Sequence, residues 1–197
     1  MLGLTRTVSA LSALALLSAC SEAPEDFARP TGVAFASNGD AYVADGYDHA
    51  RIARFDPNGC FTSSFGEHGV GKGQFETPHG IVIDVNDRIY VADRDNARVQ
   101  VFDSDGHFLA SWSAPELGHP WAVALGPDGH VYVADGGNQT PGGTARRIVE
   151  LDSNGNTLGV FGHDAALESP HGIAVGGDNS VYVADLDGRS LRKFVRR

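Results

Sequence analysis

The sequence predicts an all-β fold, a β-propeller made of repeated sheets, on three observations. The tetrapeptide Tyr-Val-Ala-Asp recurs with steps of 48, 42 and 50 residues, and a proline stands 12 residues before each copy. The segments between these marks contain only short strand-like runs, and a period of about 40 to 50 residues in such runs is typical of propeller blades. The tetrapeptides begin at Tyr42, Tyr90, Tyr132 and Tyr182, and the prolines are Pro30, Pro78, Pro120 and Pro170.

The composition fits one domain with a packed core, since the chain has 197 residues and 42% of them are hydrophobic. The formal charge of −10 argues against a nucleic-acid partner, because binding to phosphates depends on an excess of Lys and Arg. Only two cysteines are present, Cys20 and Cys60, which cannot define a disulfide framework. Cys60 begins a predicted strand and is expected to be a small buried residue.

The N-terminal segment predicts export. Residues 1–19 carry one positive charge followed by an apolar run, which is typical of a secretory signal peptide. The segment ends in Leu17-Ser18-Ala19-Cys20, which resembles the box of bacterial lipoproteins. We therefore expect secretion across the inner membrane, cleavage before Cys20, and a lipid on Cys20 that anchors the domain in the cell envelope. The alternative is an ordinary signal peptide with small residues before its cleavage site. Residues 20–29 then form a polar tether.

The repeats predict four blades, at residues 30–77, 78–119, 120–169 and 170–197. Each of the first three contains four strand-like runs joined by turn sequences such as Ser-Asn-Gly-Asp at 37–40 and Asp-Pro-Asn-Gly at 56–59. The fourth repeat has three runs and lacks its outer strand. Two architectures stay open: four blades that close on themselves, or an open arc whose exposed flanks a partner or a second copy covers.

The aspartate that ends each Tyr-Val-Ala-Asp copy is predicted to be structural. It occurs in every repeat, whatever residue follows the proline, and a carboxylate there can accept backbone N–H groups or pair with an arginine. The alternative role, as a metal ligand, is the weaker one. The residues are Asp45, Asp93, Asp135 and Asp185, and Arg51, Arg98 and Arg147 precede the third strands of the first three repeats.

The residue after the repeat proline is the variable position, and it starts the innermost strand at the mouth of the central channel. It is Thr31, His79, Trp121 and His171 in the four repeats. The two histidines lie on alternate blades, which stand about 120° apart in a six-bladed ring. Three histidines placed in this way would form the open three-ligand site that catalytic zinc prefers, and two of the three are present here.

The repeats resemble NHL repeats, and more specifically the peptidyl-α-hydroxyglycine α-amidating lyases, also called peptidylamidoglycolate lyases. The resemblance covers residues 30–194 in order and matches the last four blades of that family. Asp-Gly-Tyr at 45–47 is its most specific motif. The other matching segments are residues 30–34, 50–52, 73–75, 78–79, 91–94, 98–100 and 170–173.

This resemblance implies a six-bladed propeller with an axial zinc that splits a peptidyl-α-hydroxyglycine into a peptide amide and glyoxylate. His79 and His171 match two zinc ligands, Tyr47 matches the catalytic base, and Arg94 matches an active-site arginine. The first two family blades, and with them the third zinc histidine, have no counterpart. Gly172 stands where the family has an aspartate linked to a structural calcium, which argues against calcium here.

Several alternatives accompany these expectations. His119 precedes its proline and is a weak candidate for a third zinc ligand, whereas Trp121 is expected to plug the channel or bind an apolar group. The histidines in predicted loops and turns are expected to be solvated: His49, His68, His107, His130 and His163. Three functions remain open: a zinc-dependent lyase, a lipid-anchored module that binds a small molecule or peptide end without catalysis, and a scaffold that completes its ring by self-association.

Overall fold

A computed structural model describes residue 20 and residues 26–113, 115, 117–137, 146–163 and 167–195. These residues form seventeen β-strands in chain order. The predicted signal peptide, residues 1–19, lies outside the described residues. Within the described ranges, no helix combines the length and the apolar character needed to cross a bilayer.

The first sheet is an antiparallel meander of four strands in the order β1-β2-β3-β4. Its turns use glycines with positive φ, including Gly39 at 89° and Gly59 at 82°, as the predicted hairpin sequences require. The strands are β1 (Gly32–Phe35), β2 (Ala41–Asp45), β3 (Arg51–Phe55) and β4 (Phe61–Phe65). A short parallel pair that the sequence did not predict, β5 (Glu67–His68) and β6 (Gln74–Phe75), then leads into the second sheet.

The remaining sheets repeat this meander, and the last one has three strands among the described residues, as predicted. Sheet two contains β7 (Pro78–Ile83), β8 (Ile89–Asp93), β9 (Arg98–Phe102) and β10 (Phe108–Trp112). Sheet three contains β11 (Pro120–Leu125), β12 (Val131–Asp135), β13 (Arg147–Leu151) and β14 (Thr157–Phe161). Sheet four contains β15 (Pro170–Val175), β16 (Val181–Asp185) and β17 (Ser190–Phe194). The all-β fold with four propeller blades is thereby confirmed.

The hydrophobic core consists of three separate clusters, one between each pair of adjacent blades. Tyr42, Ile81 and Phe102 join blades one and two, for example, and none of them is more than 6% exposed. The corresponding clusters contain Tyr90, Trp112 and Val133 between blades two and three, and Tyr132, Ile148 and Val183 between blades three and four. Each blade is therefore stabilised by its neighbours, as expected for a repeat architecture.

The blades form an arc. The innermost strands contact each other in the order β1, β7, β11 and β15, and among the described residues β1 and β15 share no extensive contact. The outer faces of the two end blades carry exposed apolar side chains: Val33 and Phe35 on β1 are 57% and 67% exposed, and Leu191 on β17 is 70% exposed. Of the two predicted architectures, the part of the chain that the structure describes has the open one.

A buried aspartate at the end of each second strand holds the chain where it enters the blade. In blade two, Asp93 accepts the Glu76 backbone N–H at 2.9 Å and the Arg98 Nε–H at 2.8 Å. Asp45, Asp135 and Asp185 accept backbone N–H groups from Ala28, His119 and Ser169 in the same way. All four aspartates are at most 2% exposed. Because these carboxylates are occupied by the backbone, the predicted structural role accounts for their recurrence.

The segment before the first blade differs from the prediction. Cys20 and Cys60 form a disulfide, so Cys60 is not a free buried thiol. Residues 26–29 do not form a free tether: the Phe27 ring lies 5.7 Å from the Phe55 ring, and Arg29 pairs with Asp48 at 2.6 Å. Apolar and ionic contacts therefore attach this stretch to blade one, where a polar composition alone suggested a linker.

Candidate functional site at the propeller hub

A β-bulge places the variable residue of three blades at the hub. In blades two, three and four, the proline and the second residue after it have partners on the neighbouring strand, whereas the residue between them has none. These unpaired residues are His79, Trp121 and His171. A bulge redirects a side chain without ending the ladder, and bulges are common beside active sites. The three side chains therefore turn toward the axis.

His79 is the most constrained of these residues, with only 2% of its surface exposed. Its Nδ1 lies 2.6 Å from the Trp121 carbonyl oxygen, which only accepts, so Nδ1 carries the proton and Nε2 carries the lone pair. Burial lowers the pKa of His79 from 6.5 to about 4, and the nearby Arg94 charge acts in the same direction. The ring is neutral at pH 7, with Nε2 as an acceptor or metal ligand.

His171 and Trp121 complete an aromatic cluster with His79. The two imidazole centroids are 5.1 Å apart in an edge-to-face arrangement, although they come from alternate blades. The Trp121 ring lies 5.4 Å from His79 and 5.2 Å from His171. Gly80 permits this close approach, because a Cβ at that position would clash with the Ala122 backbone of the next inner strand.

Tyr47 reaches the hub from the loop between β2 and β3. Its hydroxyl oxygen lies 3.1 Å from His79 Nε2, and the phenol O–H donates to the imidazole lone pair. Gly46 allows this approach, because a side chain there would overlap the Pro78 carbonyl oxygen. Tyr47 is 42% exposed, so the site is open to solvent on this side.

Two guanidinium groups flank the Tyr47 ring. The Arg94 Cζ lies 5.4 Å from the Tyr47 centroid and 4.9 Å from the Trp121 centroid, both within cation–π range. The Arg29 Cζ lies 5.1 Å from the Tyr47 centroid on the blade-one side. Arg94 is held by Asp95, with Nε and Nη2 donating at 3.0 and 3.2 Å. The hub thus combines positive charge, an aromatic wall and a neutral imidazole.

The hub offers part of a zinc site. His79 fits a ligand in tautomer, charge and orientation, since a backbone carbonyl at Nδ1 is the usual partner of a ligating histidine. His171 lies close enough to share an ion with it. Among the described hub residues these are the two imidazoles, one fewer than an open three-histidine site has. The family blade that carries the third zinc histidine has no counterpart here. The equivalent position holds Thr31 in blade one and Trp121 in blade three, and the Tyr47 hydroxyl oxygen lies 3.1 Å from His79 Nε2.

His119 serves another purpose: its Nδ1 lies 3.0 Å from the Arg94 carbonyl oxygen, which steadies the loop that carries Arg94. Two histidines predicted to be solvated are instead largely shielded from solvent, with side chains 30% and 27% exposed. His49 Nδ1 lies 2.8 Å from Asp45 Oδ2, and His130 Nδ1 lies 2.7 Å from Glu150 Oε1. The sequence could have revealed the pairing of His49 with Asp45, because the two residues are only four positions apart. No local signal reveals the second.

Comparison with known proteins shows which proteins this chain is similar to. The NHL repeat model matches residues 27–55, 75–102 and 117–140. Peptidyl-glycine alpha-amidating monooxygenase B of Xenopus laevis is 36% identical over 85% of this chain and 20% of its own length. Peptidyl-alpha-hydroxyglycine alpha-amidating lyase 1 of Drosophila melanogaster is 29% identical over 87% of this chain and 36% of its own.

Among solved structures, virginiamycin B lyase from Staphylococcus aureus superposes with a TM-score of 0.67 at 16% identity, covering 88% of this chain and 57% of the other. At that identity the match shows the fold alone. The chain spans about a fifth of the Xenopus relative and about a third of the Drosophila one. Together with the four sheets, these matches show that the chain is an NHL-repeat β-propeller protein, related in sequence to the peptidylglycine α-amidating enzymes.

Proposed function

We propose that the hub is a lyase site of the amidating type, which cleaves a peptidyl-α-hydroxyglycine into a peptide amide and glyoxylate. One observation carries the proposal: the Tyr47 hydroxyl lies 3.1 Å from the Nε2 of a buried, neutral His79, with His171 5.1 Å away across the axis. The relation to the amidating enzymes supports the same reaction class.

The residues can divide the reaction between them. Once its own phenol proton has passed to solvent, Tyr47 takes the proton of the substrate's α-hydroxyl group. The carbonyl of glyoxylate forms, the C–N bond breaks, and the amide nitrogen keeps the electron pair and takes that proton back from Tyr47. Arg94 and Arg29 place positive charge beside the phenol ring, where it stabilises developing negative charge. The Arg94 guanidinium also suits the substrate carboxylate.

A zinc ion held by His79 Nε2 and His171 would polarise the substrate's hydroxyl oxygen. His79 suits the role of a metal ligand, because burial keeps its imidazole unprotonated at Nε2 and the Trp121 carbonyl fixes the orientation of the ring. The Tyr47 hydroxyl, which now donates to Nε2, would then be released toward the substrate.

The test is glyoxylate release from a peptide that ends in α-hydroxyglycine, with zinc supplied. We expect Tyr47→Phe and His79→Ala to lower the rate by at least about 100-fold, the typical contribution of a general base. His107→Ala is the matched control, because the His107 side chain is 77% exposed and pairs with Asp103 in its own turn. Release from the unaltered protein no faster than from His79→Ala would exclude the lyase.

The alternative is a binding module without catalysis, and Trp121 favours it. Its indole occupies the repeat position that holds a histidine in blades two and four. The Arg94 Cζ lies 4.9 Å from the ring centroid, so the hub presents an aromatic and cationic surface suited to a peptide carboxyl end. Calorimetry separates the two functions: a binding module takes up the hydroxyglycine peptide and releases no glyoxylate, and Trp121→Ala abolishes the uptake.

We also propose that the domain acts in the cell envelope. The Cys20–Cys60 disulfide supports export, because disulfides persist in oxidising compartments. A lipid thioether on Cys20 remains the prediction from the sequence, and it excludes the disulfide because both need the same Sγ. The intact mass of the mature protein distinguishes them: the lipid adds a diacylglyceryl group, and the disulfide removes two hydrogens.

Self-association is the third proposal, and the exposed apolar side chains on the end blades support it. Phe35 on blade one and Leu191 on blade four would meet in a head-to-tail contact between two arcs. Sedimentation of the mature domain at micromolar concentration tests this contact. We expect an oligomer that Phe35→Ser dissociates, and a monomer at all concentrations would refute the proposal.

A further inference from the structure

Arg29 is a permanent cation at the edge of the hub. It stands directly before Pro30, the repeat proline of blade one, and the residues at this position in the other blades carry no permanent charge. They are Thr77, His119 and Ser169. The Arg29 Cζ lies 5.1 Å from the centroid of the Tyr47 ring, so this cation lies beside the residue whose hydroxyl contacts His79. Arg29 is therefore a feature of blade one that the repeat does not explain.

The backbone of Arg29 has a φ of 66°, in the left-handed region that a residue with a side chain rarely adopts. The four other described non-glycine residues with positive φ each donate a backbone N–H to the carbonyl three residues earlier, in turns between strands: Asp87, Ala97, Asn179 and Arg189. Arg29 lies before the first strand instead, next to Ala28, whose N–H donates to Asp45 Oδ1 at 3.0 Å. Strained backbone of this kind clusters at active sites and ligand clamps, which makes Arg29 a candidate ligand contact.

The Arg29 guanidinium is oriented by Asp48. Its Nε and Nη2 donate to the two carboxylate oxygens of Asp48 at 2.7 and 2.6 Å, which engages one edge of the planar group. The Nη1–Nη2 end of the group is a second donor edge, and the side chain is 66% exposed. Arg94 is held by Asp95 in the same way, but its side chain is only 15% exposed and packs against Trp121. Of these two arginines, Arg29 is the more accessible to a ligand group that extends out of the hub.

The proposed reaction defines where the rest of a substrate lies. The hydroxyl group of the substrate lies at Tyr47 and its carboxylate at Arg94, so the peptide leaves the hub on the side where Tyr47 is 42% exposed. The residue before the hydroxyglycine has its Cα about 3.8 Å from the reacting carbon, across one trans peptide unit. The Cζ atoms of Arg29 and Arg94 lie 5.1 and 5.4 Å from the Tyr47 centroid. A side chain on that preceding residue can therefore extend to Arg29.

We propose that Arg29 selects substrates that have an acidic residue directly before the hydroxyglycine. This selection rests on the proposed function, and it names the substrate class of the same site. The substrate's carboxylate side chain binds the Nη1–Nη2 end of the guanidinium as a charge-assisted pair, while Asp48 holds the other edge. The Asp48 side chain is 51% exposed, so water and salt screen its repulsion of the second carboxylate. A lysine at the same substrate position meets Arg29 as a like charge.

The binding experiment uses peptides that end in ordinary glycine, which lack the α-hydroxyl group and cannot undergo the proposed cleavage. Three peptides differ only in the preceding residue, which is glutamate, glutamine or lysine, and calorimetry measures their affinity for the unaltered protein. We expect the glutamate peptide to bind about fivefold more tightly than the glutamine peptide, as an exposed charge pair allows, and the lysine peptide to bind most weakly. Arg29→Gln should abolish the preference for glutamate over glutamine, and Arg29→Glu should reverse the order.

Arg192→Glu is the matched control, because it makes the same charge change at an exposed arginine on β17, in blade four. It should leave the order of the three peptides unchanged. The thermal melt of each variant checks that the fold is retained. Arg29→Gln guards against disruption by the charge reversal, because glutamine can still donate a hydrogen bond to Asp48.

Glyoxylate release separates this proposal from the proposed lyase. For the corresponding hydroxyglycine peptides, kcat/KM should follow the same order, with glutamate before glutamine and glutamine before lysine. No release from any peptide, together with a glutamate preference that Arg29→Glu reverses, would refute the lyase and support the acid-selecting role of Arg29. Equal kcat/KM for all three peptides, equal affinities of the glycine peptides, or no binding of any of them at millimolar concentration overturns that role.

Discussion

The burial of His79 makes a quantitative prediction about stability and pH. The pKa of His79 is about 4 in the folded chain, and that of an unfolded histidine is about 6.5. Below pH 6.5 the unfolded state therefore binds a proton that the folded state does not, and stability falls as the pH drops toward 4. The full difference corresponds to roughly 3 kcal/mol, and about 2.5 kcal/mol of it is lost between pH 7.5 and 4.5.

The measurement is urea unfolding at both pH values, in a chelating buffer so that no metal occupies Nε2. Other groups also titrate in this range, so the relevant quantity is the difference between the unaltered protein and His79→Gln, in which the titrating imidazole is absent. We expect His79→Gln to lose about 2.5 kcal/mol less over this range. His107→Ala, which changes an exposed imidazole, should follow the unaltered protein. Equal losses in the unaltered protein and His79→Gln would show that His79 is protonated in the fold.

Three further substitutions test the scaffold by urea denaturation. Asp93→Asn should cost roughly 3 kcal/mol, because it leaves the nearly buried Arg98 without its anionic partner; an unchanged midpoint would contradict the structural role of the repeat aspartates. Trp112→Ala should cost about 3 kcal/mol, since this side chain fills the space between blades two and three, and a cost below about 1 kcal/mol would show that the blades pack independently. Cys60→Ser should cost roughly 2–4 kcal/mol for a bridge that spans 40 residues, and no effect would indicate that Cys20 is engaged elsewhere.

Most of the fold could be predicted because it is repeated. Strands alternate in hydrophobicity, the turns carry glycines, and four copies of one tetrapeptide fix the phase of every blade. The three strands of the fourth repeat could also be predicted from the sequence. Whether the ring closes could not, because closure depends on the curvature between blades, which no local pattern encodes.

The meeting of His79, His171, Tyr47 and Arg94 also follows from repeat phase. Equivalent positions in different blades point to one axis, so residues far apart in sequence can be expected to lie together. The structure brings these four side chains together, while their roles in catalysis remain proposals. The bulge that orients His79 and His171 was not predicted, since it is visible only in the pairing of the inner strands with β8 and β16.

The features that the sequence did not reveal depend on contacts outside the repeat. The Cys20–Cys60 bridge joins a residue before the first blade to a turn within it. The contact between His130 and Glu150 depends on the register of β12 with β13, and the loop between these strands differs in length from its counterparts in the other repeats. Counting along the chain therefore cannot align the two residues, although Glu150 lies in a correctly predicted strand and His130 directly precedes one.

The bulge at the start of the inner strands separates the residues on which folding depends from the residues on which a reaction would depend. A residue outside the ladder can be exchanged without disturbing any cross-strand pair, whereas each residue of Tyr-Val-Ala-Asp has cross-strand partners and, in blades two and three, is also buried. This freedom explains how histidine and tryptophan can occupy the same position in blades that are otherwise alike. Such a scaffold can acquire or lose a reactive centre by single substitutions. Its family can therefore include both enzymes and non-catalytic binding proteins with the same architecture.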